Sequence, residues 1–127
     1  MRRRDDLIGI WRLTKTCSEH SPIGSALTLR GVQKMRPSLY EMTDRLSRLT
    51  VPTLVMTGDE DESCVDPSLM LKRTIPSAGL AILPRTGHAL NLEEPALFNE
   101  LCNDFFHQVE SGRWLVRDAL AGAGRIL

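Results

Sequence analysis

Val51-Pro52-Thr53-Leu54-Val55-Met56-Thr57-Gly58-Asp59-Glu60-Asp61 is the stretch that decides the fold. It begins as an apolar and β-branched run that stops at Gly58, the pattern of a strand buried on both faces, and such strands belong to parallel sheets. The acidic residues Asp59, Glu60, Asp61 and Glu62 follow at once. A second apolar run, Leu80-Ala81-Ile82-Leu83, leads into Pro84-Arg85-Thr86-Gly87-His88. Carboxylates and an imidazole thus lie just past strand ends, where open α/β sheets place their ligand sites. Between the runs, Asp66-Pro67 pairs an N-cap residue with proline at the first helical position, which predicts a helix from there to about Thr74. Strand, helix and strand make one βαβ unit.

Downstream, Pro95 opens a last helix with Leu97, Phe98, Leu101, Phe105 and Val109 on one face, Glu93 and Glu94 suit its positive end, and Gly112 marks its end. From Arg113 onward no period is evident, and a loosely held terminus is expected. Upstream, Leu7, Ile10, Trp11 and Thr14 recur at helical spacing toward His20. A second helix starts at Ser21-Pro22, carries Ala26, Leu29, Val32 and Met35, and is ended by Pro37. Ser38-Leu39-Tyr40-Glu41 has capping-box spacing before a third, with Leu39, Met42, Leu46 and Leu49 as its apolar stripe. The expected division is a helical segment at 1–49, a sheet-bearing segment at 50–111 and a tail at 112–127.

The Val51 to Asp61 stretch, taken with Gly87-His88-Ala89-Leu90-Asn91-Leu92-Glu93-Glu94-Pro95, resembles the C-terminal half of an α/β-hydrolase-fold enzyme. The resemblance runs over roughly residues 23 to 109. It implies an α/β fold class: a partial α/β-hydrolase fold in which a helical cap is followed by the last parallel strands and helices of the sheet. In that family a Gly-x-x-Asp strand exit carries the triad acid, and Gly-His with a downstream Glu-x-Pro carries the base. The matching positions are Asp61 and His88. As a cap, the N-terminal helices would line the acyl side of a pocket, with Trp11, Leu29, Met35 and Tyr40 as walls or plain core. No Gly-x-Ser-x-Gly elbow occurs in the sequence. The family places its nucleophile before the acid and base, so the chain reads as the second half of a longer fold.

A Ser-His-Asp device needs an imidazole to take the nucleophile's proton and a carboxylate to hold that imidazole in one tautomer. Asp59 is the rival acid, although its place directly after Gly58 suits a turn-capping role. His20 and His107 lie in helical stretches and are expected to be structural. Cys64 is near the site but follows the acid in sequence, and Ser63 and Ser68 lack the glycine-flanked context of an elbow serine. The cysteines and histidines have no metal-ligand spacing, so no metal or other cofactor is expected.

Sixteen basic residues balance sixteen acidic ones at a pI near 6.8, which offers no field for a nucleic acid or an anionic membrane. Arg2-Arg3-Arg4 is followed by Asp5 and Asp6 rather than an apolar signal region, no apolar run would span a bilayer, and the three cysteines are widely spaced. A reduced, cytoplasmic protein is expected. Its partner would be a small-molecule acyl substrate, an ester or lactone, once an N-terminal half completes the site. The alternatives are half of a dehalogenase-like enzyme with an aspartate nucleophile, or a non-catalytic remnant that binds or oligomerises. Two strands make a small sheet, so self-association is also expected.

Overall fold

The computed structural model describes residues 18–117, and the chain divides into two compact units, residues 1–38 and 39–127. The helix expected from Leu7 to His20, with Trp11, lies almost wholly outside the described residues. In the first unit, α1 (Pro22–Thr28) starts with proline at its first position, and the Ser21 hydroxyl accepts the Gly24 N–H at 3.3 Å. The helix then widens into a π-helical turn over Leu29–Gln33. The side chains of Ile23, Leu27, Leu29 and Val32 there, and of Met35 in the turn that follows, are all exposed.

The second unit opens with a 3-10 turn (Leu39–Met42) and a short helix, α2 (Thr43–Leu46). Sequence spacing grouped these residues with the cap. Leu46 is instead buried against Ile75 and Ala78, with Met42, Leu49, Val55 and Leu71 packed around them. Burying residues such as Leu46 and Ile75 contributes about 1.5–3 kcal/mol each. That stabilisation ties α2 to the sheet unit.

Strands β1 (Thr53–Gly58) and β2 (Ala78–Leu83) pair in parallel, in register from Thr53 opposite Ala78 to Gly58 opposite Leu83. The small core surrounds Ala78 at the start of β2, and the loops that carry Asp61 and His88 leave from the other end. The sheet has only these two strands among the described residues. For that reason β1 is not buried on both faces as its composition predicts; only Thr57 and Gly58 are fully buried, and Ile82 on β2 is exposed.

Helix α3 (Glu62–Thr74) connects the strands and begins earlier than Asp66-Pro67 predicts. The Asp61 carbonyl accepts the N–H groups of Cys64 at 2.8 Å and Val65 at 3.2 Å, which closes the first turn before Pro67 is reached. Pro67 falls inside the helix, where its missing N–H costs one bond that the Ser63 carbonyl would otherwise accept. A short helix α4 (Leu90–Glu93) precedes α5 (Pro95–Glu110), whose predicted apolar face is half-buried.

Residues 113–117 are held rather than loose. Trp114 stacks edge-on against Phe105 with ring centres 4.8 Å apart and donates its indole N–H to the Ser77 carbonyl at 2.7 Å. It lies so close to Gly79 that a Cβ there would come within 2.6 Å of the indole. Arg117 donates to the carbonyls of Lys72 and Ile75 at the end of α3, and its N–H reaches Pro76 O. Missing periodicity hid this docking, which rests on single side chains. Among the described residues no helix is long and apolar enough to cross a membrane.

Candidate active site

Both strands end at loops that hold each other. Beyond Gly58, the Asp59 N–H donates to Leu83 O and the Glu60 N–H to Thr86 O, each at 3.0 Å. The loops approach so closely that a Cβ on Gly58 would lie 2.0 Å from Thr86 O, so only glycine fits there. After β2, Arg85 takes the left-handed conformation at φ 58° and turns the chain back, leaving Thr86 fully buried.

Carboxylates then grip the loop that carries His88. Asp59 Oδ1 accepts the Thr86 N–H at 3.2 Å. Glu93 accepts the two N–H groups flanking the histidine, Gly87 at 2.9 Å and Ala89 at 3.1 Å. Bonds to ionised acceptors are stronger than neutral ones, so this loop is better fixed than its exposure suggests. From sequence, Glu93 reads as a helix-end charge; its side chain is instead turned back onto the loop. The Glu-x-Pro motif marked the residue without revealing its partner.

Asp61 is the N-cap residue of α3, yet its side chain makes no cap bond. Its Oδ2 lies 2.6 Å from His88 Nδ1, and its Oδ1 accepts the Ser63 hydroxyl at 3.0 Å. Hydrogen bonds from Cys64, then His88, then Ser63 hold the Asp61 carboxyl below the usual carboxylate range, against the opposing pull of partial burial. A carboxylate only accepts, so in the neutral ring Nδ1 carries the proton and Nε2 presents a lone pair. The His88 side chain is 85% exposed and that of Asp61 11%, so the acid is tucked beneath an open imidazole.

Asp59 faces the Thr86 backbone rather than His88, in agreement with a turn-holding role. Cys64 Sγ lies 3.9 Å from His88 Nδ1, the nitrogen turned to Asp61, and not on the Nε2 side. The same carboxylate pushes the Cys64 thiol up, which opposes a thiolate nucleophile. Ser68 is buried in α3, and His107 Nδ1 bonds the Asn103 carbonyl of its own helix. His20 lies in the bend before α1. Leu29 and Met35 are exposed, and Tyr40 lines an open groove with Asp66, Leu69, Met70 and Arg73 that includes neither Asp61 nor His88. Folding also does what linear spacing did not show: the ligand atoms of Asp61, Cys64 and His88 all lie within 4.8 Å of one another.

No protein-family model matches the chain. A putative 2-succinyl-6-hydroxy-2,4-cyclohexadiene-1-carboxylate synthase of Bacillus subtilis (strain 168) is 27% identical over 100 residues, which are 78% of this chain and 35% of the relative. A 2-hydroxy-6-oxo-6-phenylhexa-2,4-dienoate hydrolase of Burkholderia cepacia is 35% identical over 74 residues, 58% of this chain and 26% of that protein. In space, the chain superimposes on MGS-MChE2, an α/β hydrolase enzyme from a lagoon-sediment metagenome in Morocco, with a TM-score of 0.52 and 28% identity. The chain carries part of an α/β-hydrolase fold. The match to that structure covers 54% of this chain and 32% of the other, so the chain spans about a third or less of each of these relatives.

Proposed function

We propose that Asp61 and His88 are the acid and base of an acyl-hydrolysing Ser-His-Asp device, completed by a nucleophile and oxyanion donors from an N-terminal half of the fold. The observation that supports this most is the 2.6 Å contact between Asp61 Oδ2 and His88 Nδ1, which makes Nε2 the accepting nitrogen of the neutral ring. In such a device Nε2 takes the nucleophile's proton and returns it to the leaving group, while the carboxylate fixes the tautomer and stabilises the imidazolium. The substrate class is an ester, lactone or similar small acyl compound, in keeping with hydrolases among the relatives. The free thiols of Cys64 and Cys102 suit a reducing compartment such as the cytoplasm.

The test is a chimera in which the 74-residue stretch of this chain that matches the Burkholderia hydrolase replaces the corresponding segment of that enzyme. Turnover of that enzyme's substrate that falls by about 10⁴-fold in His88→Ala supports the assignment. Turnover indifferent to both His88→Ala and Asp61→Asn would refute it. A second reading, a binding or oligomerisation module without catalysis, draws on the 43% exposure of Ile82 in a two-stranded sheet. It requires the isolated chain to associate with itself, which sedimentation over a concentration series would reveal.

A further inference from the structure

We propose that Asp61, Cys64 and His88 form a binding site for a thiophilic divalent cation of the zinc type, and that the cation silences His88 as a base. The binding half stands on geometry alone, and the silencing half rests on the proposed role of His88. Asp61 and Cys64 occupy the N-cap and third positions of α3, the spacing at which side chains of a helix start reach each other. His88 arrives from the loop after β2, so the three donors come from two elements already locked together at Gly58 and Thr86.

The donor set of one carboxylate, one thiolate and one imidazole is one that zinc accepts, with a fourth position left for water. Cys64 Sγ and Asp61 Oδ2 lie 3.9 Å and 2.6 Å from His88 Nδ1. Tetrahedral bonds of ordinary zinc length place S and N about 3.5 Å apart and O and N about 3.3 Å apart. Closing the first by roughly 0.4 Å and opening the second by roughly 0.7 Å reaches that geometry through small side-chain rotations. The His88 side chain is 85% exposed, so among the described residues the ion can reach it from solvent. The start of α3 also favours negative ligands there, which suits a thiolate and a carboxylate.

Proton bookkeeping gives the consequence. The metal takes the Nδ1 lone pair, so the proton held between Nδ1 and Asp61 is displaced and the neutral ring carries its proton on Nε2. The Cys64 thiol proton is released to solvent, one per cation bound. Nε2 changes from acceptor to donor and can no longer take a proton from a nucleophile. A single ion thereby reverses the tautomer that Asp61 imposes.

The experiment titrates the full 127-residue chain with Co²⁺ and Zn²⁺. One cobalt per chain, with a thiolate-to-cobalt charge-transfer band that is lost in Cys64→Ser and kept in Cys17→Ser and Cys102→Ser, is the expected result. His88→Gln should weaken zinc binding by about tenfold or more. Nitrogen-15 NMR of His88 should show the proton on Nδ1 without metal and on Nε2 with zinc. A band that survives Cys64→Ser, or zinc affinity unchanged in His88→Gln, overturns the site. Binding that leaves the proton on Nδ1 overturns the silencing. None of these readings depends on turnover, so a failed chimera and a failed metal site are separate results.

Discussion

In the loops after β1 and β2, the N–H groups of Asp59, Glu60, Thr86, Gly87 and Ala89 all have partners, and three of those partners are carboxylate oxygens. In the segment from Ser21 to Arg36, by contrast, Ile23, Leu27, Leu29, Val32 and Met35 are each more than half exposed. One region is completed by groups close at hand. The other has local helical bonds and an apolar stripe that a helix cannot bury by itself. A polar site can therefore be well formed at the end of a two-stranded sheet, because its geometry needs only the strand exits and the charges around them.

The comparison breaks most sharply at Gly58. Gly58→Ala forces a methyl into the Thr86 carbonyl 2.0 Å away, and backbone cannot rotate aside as a side chain can. We expect a loss of about 3 kcal/mol or more, with the two loops parting. Amide exchange at Glu60 should accelerate far more than at Lys34, which donates within the π-helical turn. Equal acceleration at both would mean that the loops are not held independently.

A smaller effect is expected at Trp114, where the chain covers its own apolar surface. Trp114→Ala removes the edge-on contact with Phe105, the indole bond to Ser77 and the lid over Gly79. Because the side chain is half-buried, the cost is set at about 2 kcal/mol, below that of a fully buried tryptophan. Urea unfolding followed by far-UV circular dichroism measures it. A midpoint unmoved from wild type would return 113–117 to the loosely held terminus that the sequence suggests.

Next comes the clamp. Glu93→Gln keeps an acceptor but removes the charge from the bonds to Gly87 and Ala89, and about 1 kcal/mol of local stability should go with it. The His88 amide and ring resonances should broaden while those of α3 stay sharp. Acid acts on the same loop through Asp61. Its folded carboxyl is depressed below 3.8, so the contribution is fully present above that pH and lost as the pH falls through the folded value. Following the His88 ring signal down an acid titration tests the sign. Loss of the contact well above pH 3.8 would contradict it.

These contrasts also explain what was legible in the sequence. The strand pair and the helix between them were readable because apolar runs ending in glycine or proline are local patterns, whereas the pairing of Asp61 with His88 was expected only from the family resemblance and not from spacing. The start of α3 was not. Asp66-Pro67 is the stronger local signal, and only the Asp61 carbonyl, accepting from Cys64 and Val65, shows that the helix is already under way. Glu93 and Trp114 were misread because each acts through one side chain on single backbone groups, nearby for Glu93 and far along the chain for Trp114, and periodicity does not register single contacts. Cys64 was placed near Asp61 from the sequence, but its approach to His88, 24 positions away, was not legible because no motif links the two.

The smallest expected effect concerns the exposed stripe. Ile23, Leu27 and Met35 are 74%, 63% and 74% exposed, so most of their apolar area already meets water and its removal forfeits little burial. Serine in a helix is about as good as isoleucine and only slightly worse than leucine or methionine. Each of Ile23→Ser, Leu27→Ser and Met35→Ser should therefore change stability by no more than about 0.5 kcal/mol. The measurement is the helical circular dichroism signal against urea at low protein concentration, with sedimentation of the triple variant at high concentration. If the stripe is what makes chains associate, the triple variant loses self-association and keeps its midpoint. A loss of more than about 1 kcal/mol for any single change would show that these side chains are covered in solution. In that case the contrast between a self-completed polar site and an uncompleted apolar helix would no longer hold.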